Sequence, residues 1–155
     1  MSEHLGRPVV PLNDADAAGI AEVAYGAAKN AKGVVVFTTQ GTGIGSAIIV
    51  DGRLMTNTEL GHLELDGHDA EKRASSGQKT LQSLDWAQWA ERLQRYYSHV
   101  EMLLSPDLFV VGGGVSENAD KFMPLLKLRT PMIPAKLLNT AGIVGAAYYA
   151  ANHQG

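Results

Sequence analysis

The sequence contains no cysteine among its 155 residues, which excludes disulfide bonds, thiolate zinc sites and cysteine nucleophiles. No apolar run reaches the ~18 residues that a transmembrane helix requires. Residues 1–4 show neither the basic start nor the apolar stretch typical of a signal peptide. The 13 Lys and Arg residues do not outnumber the 16 Asp and Glu residues, so the charge gives no support for nucleic-acid binding. We therefore expect a cytoplasmic protein without a membrane or nucleic-acid partner.

Apolar residues make up 45% of the chain and charged residues only 19%, which excludes an intrinsically disordered segment. A chain of this length buries roughly 70% of its unfolded surface, enough for one sizeable core. We expect a single domain over residues 1–155. Glycine is abundant, with 17 residues in clusters, and clustered glycine indicates that backbone closely approaches another group.

Strand and helix patterns alternate along the chain, which predicts an α/β fold. A hairpin signal at Asp51-Gly52 makes the predicted sheet mixed rather than purely parallel. Residues 75–79 are predicted as a loop and residues 130–134 as an extended connector. Strands are predicted at residues 8–12, 34–39, 47–50, 53–55 and 108–111, and helices over residues 14–31, 70–74, 85–104, 117–126 and 140–151.

The helix predicted over residues 85–104 carries one apolar face, with aromatic and aliphatic residues spaced three and four apart. Asp85 and Gln88 have the spacing of a capping box at its start. A stripe of this kind packs into a core or against another subunit. Its members are Trp86, Trp89, Leu93, Tyr96, Tyr97, Val100, Leu103 and Leu104.

Two glycine clusters each follow a predicted strand. The first, residues 41–45 (Gly-Thr-Gly-Ile-Gly), is called the glycine bend below, and the second, residues 112–114, the triple glycine. Either could bring backbone amides to a phosphate, and either could be a tight turn without a ligand. Neither has the spacing of a Walker loop or of a dinucleotide fingerprint.

Polar residues that could carry chemistry lie at two further places. Asn13 and Asp14 open a helix after a strand, where a carboxylate could accept a proton from a sugar hydroxyl or simply cap the helix. A second group of polar residues could donate and accept hydrogen bonds with vicinal hydroxyls. It could also bind a metal ion, although its spacing fits no standard zinc pattern, or it could be a solvated charged loop. Its members are Glu59, His62, Glu64 and Glu71.

The order of these segments resembles the ROK family of sugar kinases, most of all its bacterial polyphosphate glucokinases. The similarity covers nearly the whole chain. The matching segments are residues 12–17, 41–46, 59–62, 110–116 and 141–147.

The resemblance implies the C-terminal lobe of an actin-like (ribonuclease H-like) sugar kinase, with a mixed sheet flanked by helices. The implied reaction transfers a phosphoryl group from polyphosphate or ATP, with Mg²⁺, to the 6-hydroxyl of glucose. Asp14 would be the general base, and a homodimer would form through the helix over residues 85–104. The implied glucose ligands are Asn13, Glu59, His62 and Glu71, and the implied phosphate or donor-binding residues are Gly41, Thr42, Gly43, Gly45, Gly112, Gly113 and Gly114.

Two features depart from the family pattern. The cysteine-rich zinc motif between the histidine and the last glutamate is missing, so we expect no zinc and no other resident metal. The Asp-x-Gly-Gly phosphate loop of an N-terminal lobe is also missing, so we expect a truncated form that is weak or inactive alone. The alternative is a non-catalytic glucose-binding module. Basic residues that could follow a polyphosphate chain, or be ordinary surface residues, are Lys121, Lys127, Arg129 and Lys136.

Overall fold

The structure is a computed structural model that describes residues 13–137 together with residues 149 and 151. Its helices are α1 (Asp14–Tyr25), α2 (Glu71–Ala74), α3 (Ser76–Leu81), α4 (Trp86–Leu104) and α5 (Ala119–Phe122). Its strands are β1 (Val34–Gln40), β2 (Ile44–Val50), β3 (Arg53–Met55), β4 (Glu64–Leu65), β5 (His68–Asp69), β6 (Leu108–Gly112) and β7 (Met132–Pro134). Short 3₁₀ helices cover Leu60–His62, Gly114–Asn118 and Met123–Leu125.

The main sheet has five strands in the order β3-β2-β1-β6-β7. β1 pairs antiparallel with β2 and parallel with β6, while β7 runs parallel to β6. The predicted α/β class with a mixed sheet is therefore confirmed. β4 and β5 form a separate two-stranded hairpin.

Each face of the sheet has its own buried cluster, because successive side chains of a strand point to opposite faces. Val35 and Phe37 of β1 pack on the α1 side, together with Ile49 and Val110. The neighbouring Val36 of β1 packs on the α4 side in a larger cluster. Helices thus cover both faces of the sheet, as the sequence predicts.

The apolar stripe of α4 forms the centre of the larger cluster, which confirms its interpretation as core. Asp85 and Gln88 make the predicted capping box, and the Trp89 indole N–H donates to the Ala74 carbonyl at 2.9 Å. Buried members of the stripe are Trp89, Leu93, Tyr96, Tyr97 and Val100.

Several predicted boundaries are wrong. Residues 75–79 are not a loop: the Ser75 hydroxyl caps α3, which begins at Ser76. The helix predicted over residues 117–126 is broken into the α5 turn and two 3₁₀ helices, the second of which holds Pro124. The extended connector at 130–134 contains β7, which pairs with β6. The predicted strand at 8–12 and most of the helix at 140–151 lie outside the described residues.

The start of β1 is hydrogen-bonded to two neighbouring connections, through Gly33 on one side and Val34 on the other. The Gly33 amide donates to the Asp51 carboxylate at 2.8 Å, and its carbonyl accepts from the Asp51 amide at 3.0 Å. Asp107, on the other side, accepts from the Val34 amide at 2.8 Å. Gly33 has a φ of +76°, and a side chain there would overlap the Asp107 carboxylate, so only glycine fits.

No helix in the described part of the chain is long and apolar enough to cross a membrane.

Glu22 is a buried carboxylate that joins the end of α1 to the segment after β7. It is 1% exposed, and it accepts hydrogen bonds from the amides of Ala27 at 2.6 Å, Lys136 at 3.0 Å and Leu137 at 2.7 Å. A carboxylate can be buried in this way because several donors replace the water that it loses.

Replacing Glu22 with alanine should lower the free energy of unfolding by about 3 kcal/mol, because buried amides lose their acceptor. Urea denaturation at neutral pH measures the change. The matched control is Glu91→Ala, which removes an exposed carboxylate from α4. Equal stability of the two variants would contradict the role given to Glu22.

Candidate functional site

The two glycine clusters meet at one end of the sheet. β1 and β6 run parallel with Thr39 opposite Gly112, so the chain leaves both strands at the same edge. The glycine bend follows β1, and the triple glycine straddles the end of β6. Open α/β sheets bind ligands outside the carboxyl ends of such strands. The structure therefore brings the two glycine clusters together. From the sequence, each of them could be either a phosphate site or a tight turn without a ligand.

The glycines at this edge serve different purposes. A side chain at Gly113, whose φ is +92°, would overlap the Gln40 carbonyl, and one at Gly112 would lie 2.8 Å from the Phe37 ring. These two glycines are required for packing. At Gly41 and Gly114, in contrast, an added Cβ atom would have no other atom within 4 Å. Their surfaces are open to a ligand.

The glycine bend offers fewer free amides than its sequence indicates. The Gly41 amide donates to the Gly43 carbonyl at 3.0 Å, and the Ile44 amide donates to the Glu71 carboxylate at 2.9 Å. Among the described residues, only the amides of Thr42 and Gly43 in the bend before β2 have no acceptor. The predicted anion cradle is thereby reduced to two amides and the Thr42 hydroxyl.

The turn before α3 holds the glycine bend in place. The Gly77 amide donates to the Gly41 carbonyl at 2.8 Å, and the Ser75 hydroxyl donates to the Thr42 carbonyl at 3.2 Å. An added side chain at Gly77 would lie 3.0 Å from the Thr42 Cα. The carbonyls of the bend therefore accept hydrogen bonds from within the protein, and the amides of Thr42 and Gly43 remain available to a ligand.

Glu71 lies between the glycine bend and the 3₁₀ helix Leu60–His62. Its Oε2 accepts from the Ile44 amide, and a side chain at Gly43 would overlap this oxygen. Gly61 is equally restricted, because a side chain there would overlap the Ile44 carbonyl and lie 3.0 Å from Glu71 Oε2. Both glycines let the carboxylate reach the bend.

His62 gathers three carboxylates around its imidazole. Its Nδ1 lies 3.1 Å from Asp69 Oδ2 and 3.6 Å from Glu71 Oε1, and its Nε2 lies 4.0 Å from Glu59 Oε2. The hydrogen bond from the His62 Nδ1–H to Asp69 raises the pKa of His62 above 6.5, and the Glu71 charge adds to the increase. Glu59, His62 and Glu71 thus meet in space, whereas Glu64 is exposed on β4.

Asn13 and Asp14 stand at the start of α1. The Asn13 Oδ1 accepts from the Asp16 amide at 2.7 Å, so Asn13 caps the helix. Asp14 is exposed in the first turn. The neighbouring Asp16 is fully buried, and its Oδ2 accepts from the Asn57 amide at 3.1 Å. This contact connects the start of α1 to the segment that leads into Glu59.

A cleft of about 320 Å³ opens between the glycine bend and the triple glycine, with Gly41 and Gly114 among its lining residues. Lys79 and Trp86 also line it, and the Lys79 ammonium lies 4.2 Å from the centre of the Trp86 ring. The Lys121 ammonium lies 5.8 Å from the same ring. The cleft therefore combines open backbone, an aromatic surface and positive charge.

A larger cleft of about 550 Å³ lies on the other side of α2, between the β4–β5 hairpin and α4. Its arginines are partly engaged within the protein: Arg92 donates to the Arg73 carbonyl at 3.1 Å, and Arg95 pairs with Asp66 at 3.2 Å. It contains none of the predicted site residues, and we assign the chemistry to the smaller cleft and its surroundings.

The described residues contain no group of three or more His, Asp or Glu side chains that could hold a metal ion. They provide no preformed cage for the Mg²⁺ that the resemblance implies, and the chemistry below rests on the chain's own side chains. That the protein contains no zinc stays a prediction.

Four residues of this region were not predicted from the sequence as parts of the site. Asp69 lies on β5, and the turn of its hairpin, Asp66-Gly67, was the only signal for its position in the sequence. Asp16 resembles an ordinary acidic residue of a first helical turn. Lys79 fell in a segment predicted as a loop, and Trp86 was assigned to the core stripe.

Residues 1–80 of the chain match the ROK family. The chain is also 55% identical over 142 residues to a polyphosphate glucokinase of Mycobacterium tuberculosis, a match that covers 92% of this chain and 54% of that protein. The chain belongs to the ROK family.

The family relationship extends to solved structures. The crystal structure of the inorganic polyphosphate/ATP-glucomannokinase from Arthrobacter sp. strain KM is 58% identical, with a TM-score of 0.89 over 97% of this chain and 60% of that one. A ROK family glucokinase from Streptomyces griseus shares the fold at 22% identity and a TM-score of 0.78. The predicted actin-like sugar-kinase fold is confirmed. The chain spans about half the length of the curated polyphosphate glucokinases that it matches.

The Gly43→Ala variant should be destabilised by about 1–3 kcal/mol, because the new methyl group overlaps the Glu71 carboxylate and must displace it. Thermal unfolding measures the loss. Gly41→Ala in the same bend is the matched control, since its methyl group meets no atom within 4 Å. Equal melting temperatures for the two variants would contradict the proposed fit between Gly43 and Glu71.

The Asp69→Asn variant should lower the pKa of His62, because the strongest interaction that favours the imidazolium is removed. In the unchanged protein, protonated His62 contributes stability at pH values below its ordinary pKa, and that contribution is lost as pH rises through the raised pKa. An NMR titration of the His62 ring in both proteins checks the direction. An unchanged midpoint would show that Asp69 does not control His62.

Proposed function

We propose that this chain forms the glucose-binding part of a cytoplasmic glucokinase that takes its phosphoryl group from polyphosphate or ATP. The observation that carries the proposal is the convergence of Glu59, His62 and Glu71 beside the glycine bend. The names of the relatives point the same way, since they are a polyphosphate glucokinase and a polyphosphate/ATP-glucomannokinase.

The three converging side chains suit a sugar better than an apolar ligand. Carboxylate oxygens accept hydrogen bonds from hydroxyls, and a protonated imidazole donates to hydroxyl oxygens. The raised pKa of His62 favours this donating form. Such a site discriminates against sugars that lack a hydroxyl, because its own polar groups would then remain unpaired.

Asp14 is the proposed general base. Its exposed position in the first turn of α1 leaves the carboxylate open to a sugar. In the reaction the 6-hydroxyl oxygen attacks the terminal phosphorus of the donor, the bond to the leaving phosphate breaks, and the hydroxyl proton passes to Asp14. Asn13 caps α1 and so fixes the position of Asp14 at the start of this helix.

The cleft between the two glycine clusters is the proposed binding site for the phosphoryl donor, whether this is polyphosphate or ATP. Gly41 and Gly114 leave room for phosphates, while Lys79 and Lys121 add positive charge at Trp86. Among the basic residues predicted for polyphosphate, Arg129 already lies 3.7 Å from Glu101. We therefore favour Lys121 over Arg129 as a contact for the phosphoryl donor. That Lys127 and Lys136 contact polyphosphate stays a prediction.

A homodimer is also part of the proposal, with α4 as its contact. Most of the apolar stripe of this helix is buried in the core, so a partner would meet the last turn of α4. Met102, and Leu103 from the end of the stripe, are 63% and 52% exposed there.

A second candidate function is glucose binding without catalysis. The reduced number of free amides in the glycine bend favours it, because fewer donors remain for a transferred phosphoryl group. A coupled assay for glucose 6-phosphate, run beside a glucose-binding titration of the 155-residue protein, separates the two functions. Turnover with polyphosphate or ATP supports the kinase, and glucose binding without turnover supports the binding module.

Where the unchanged protein shows turnover, the Asp14→Asn change should lower it by about 100-fold, the usual contribution of a general base, while glucose still binds. The assay compares initial rates at saturating glucose and donor. Asp120→Asn, an exposed change on α5, is the control. Turnover near that of the unchanged protein in Asp14→Asn would exclude this residue as the base.

A further inference from the structure

Asp16 is a buried carboxylate for which the reaction proposed above has no use. It lies in the first turn of α1, two residues after Asp14, and is 0% exposed. Its Oδ2 accepts one hydrogen bond, from the Asn57 amide at 3.1 Å, and its Oδ1 has no partner in the structure. Burying a carboxylate with one satisfied oxygen costs free energy, and such a cost is retained where the group has a function.

The backbone that Asp16 holds is in an unfavourable conformation. Asn57 has a φ of +61°, in the left-handed region that asparagine tolerates better than most residues but that still costs energy. The bond from its amide to Asp16 fixes this turn. Asn57 then leads directly into Thr58 and Glu59.

The other end of this segment is held by β2. The Leu60 amide donates to the Ser46 hydroxyl at 2.9 Å, and the Thr58 hydroxyl donates to the Ser46 carbonyl at 3.1 Å. Glu59 therefore lies between two anchors, Asp16 on α1 and Ser46 on β2. The Glu59 side chain is 63% exposed, and its 4.0 Å distance to His62 is longer than a hydrogen bond. Side-chain contacts therefore do not fix the position of Glu59.

The electrostatics agree with a close relation between the two acidic residues. Burial raises the pKa of Asp16, the amides of Asn57 and Asn13 oppose the increase, and the Glu59 charge adds to it. The Glu59 effect is the smallest of these, so the backbone of residues 57–59 is the main connection between the two residues.

We propose that Asp16 is a positioning residue that fixes Glu59 relative to Asp14 through its hydrogen bond to the Asn57 amide. The inference rests on the proposed glucose site. One side chain would then set the distance between the group that accepts the proton and a group that holds the sugar. The Asn57 amide needs only one acceptor oxygen, and an asparagine at position 16 would keep one.

The test compares Asp16→Ala, which removes the acceptor, with Asp16→Asn, which keeps one. Glucose titration of the full 155-residue protein should show affinity lowered about tenfold in Asp16→Ala and within about threefold of the unchanged protein in Asp16→Asn, since small misplacements of binding groups are costly. Glu22→Gln is the control, because it alters another buried carboxylate of α1 and should change the melting temperature without changing glucose affinity.

Amide hydrogen exchange at residues 57–60 provides a readout that needs no glucose. We expect faster exchange of the Asn57 amide in Asp16→Ala and protection retained in Asp16→Asn. If the unchanged protein binds no glucose, the proposed function fails, and the exchange result alone decides whether Asp16 holds the segment. Unchanged exchange at Asn57, or unchanged glucose affinity, in a folded Asp16→Ala protein would overturn the inference.

Discussion

The hydrogen bond between the Ile44 amide and the Glu71 carboxylate is the contact on which the candidate site depends. It brings α2 against the start of β2, and it leaves room for no side chain at Gly43 or Gly61. The other oxygen of the same carboxylate lies 3.6 Å from His62. A single group therefore joins the proposed phosphate-binding bend to the proposed sugar-binding residues, so neither part of the site can shift without the other.

The strands and the long helix could be predicted because their signals are local. Continuous apolar residues mark β1 and β6, and the three- and four-residue spacing of large side chains marks α4. Predictions failed where one contact decided the structure. Ser75 starts a helix by capping it, and Pro124 helps to divide a segment whose composition is otherwise helical.

The candidate site was only partly predictable. Asp14, Glu59, His62 and Glu71 could be named because the order of motifs resembles a family. Asp16 and Asp69 could not, because an acidic residue has the same appearance in a sequence whether it is buried against an amide or solvated. The glycines show the same limit: Gly113 is required by its φ and by Gln40, and Gly114 is open, yet the two are adjacent and identical in sequence.

The two ends of the central strand differ in how freely they can change. At the start of β1, Asp51 accepts from the Gly33 amide and Asp107 accepts from the Val34 amide, and a side chain at Gly33 would overlap Asp107. An insertion there would break backbone pairing on both sides of the strand at once. At the far end, the chain leaves β1 and β6 in loops with open surfaces at Gly41 and Gly114. Side chains at Gly41 and Gly114 can therefore vary in evolution without disturbing the sheet, whereas a side chain at Gly33 cannot be accommodated.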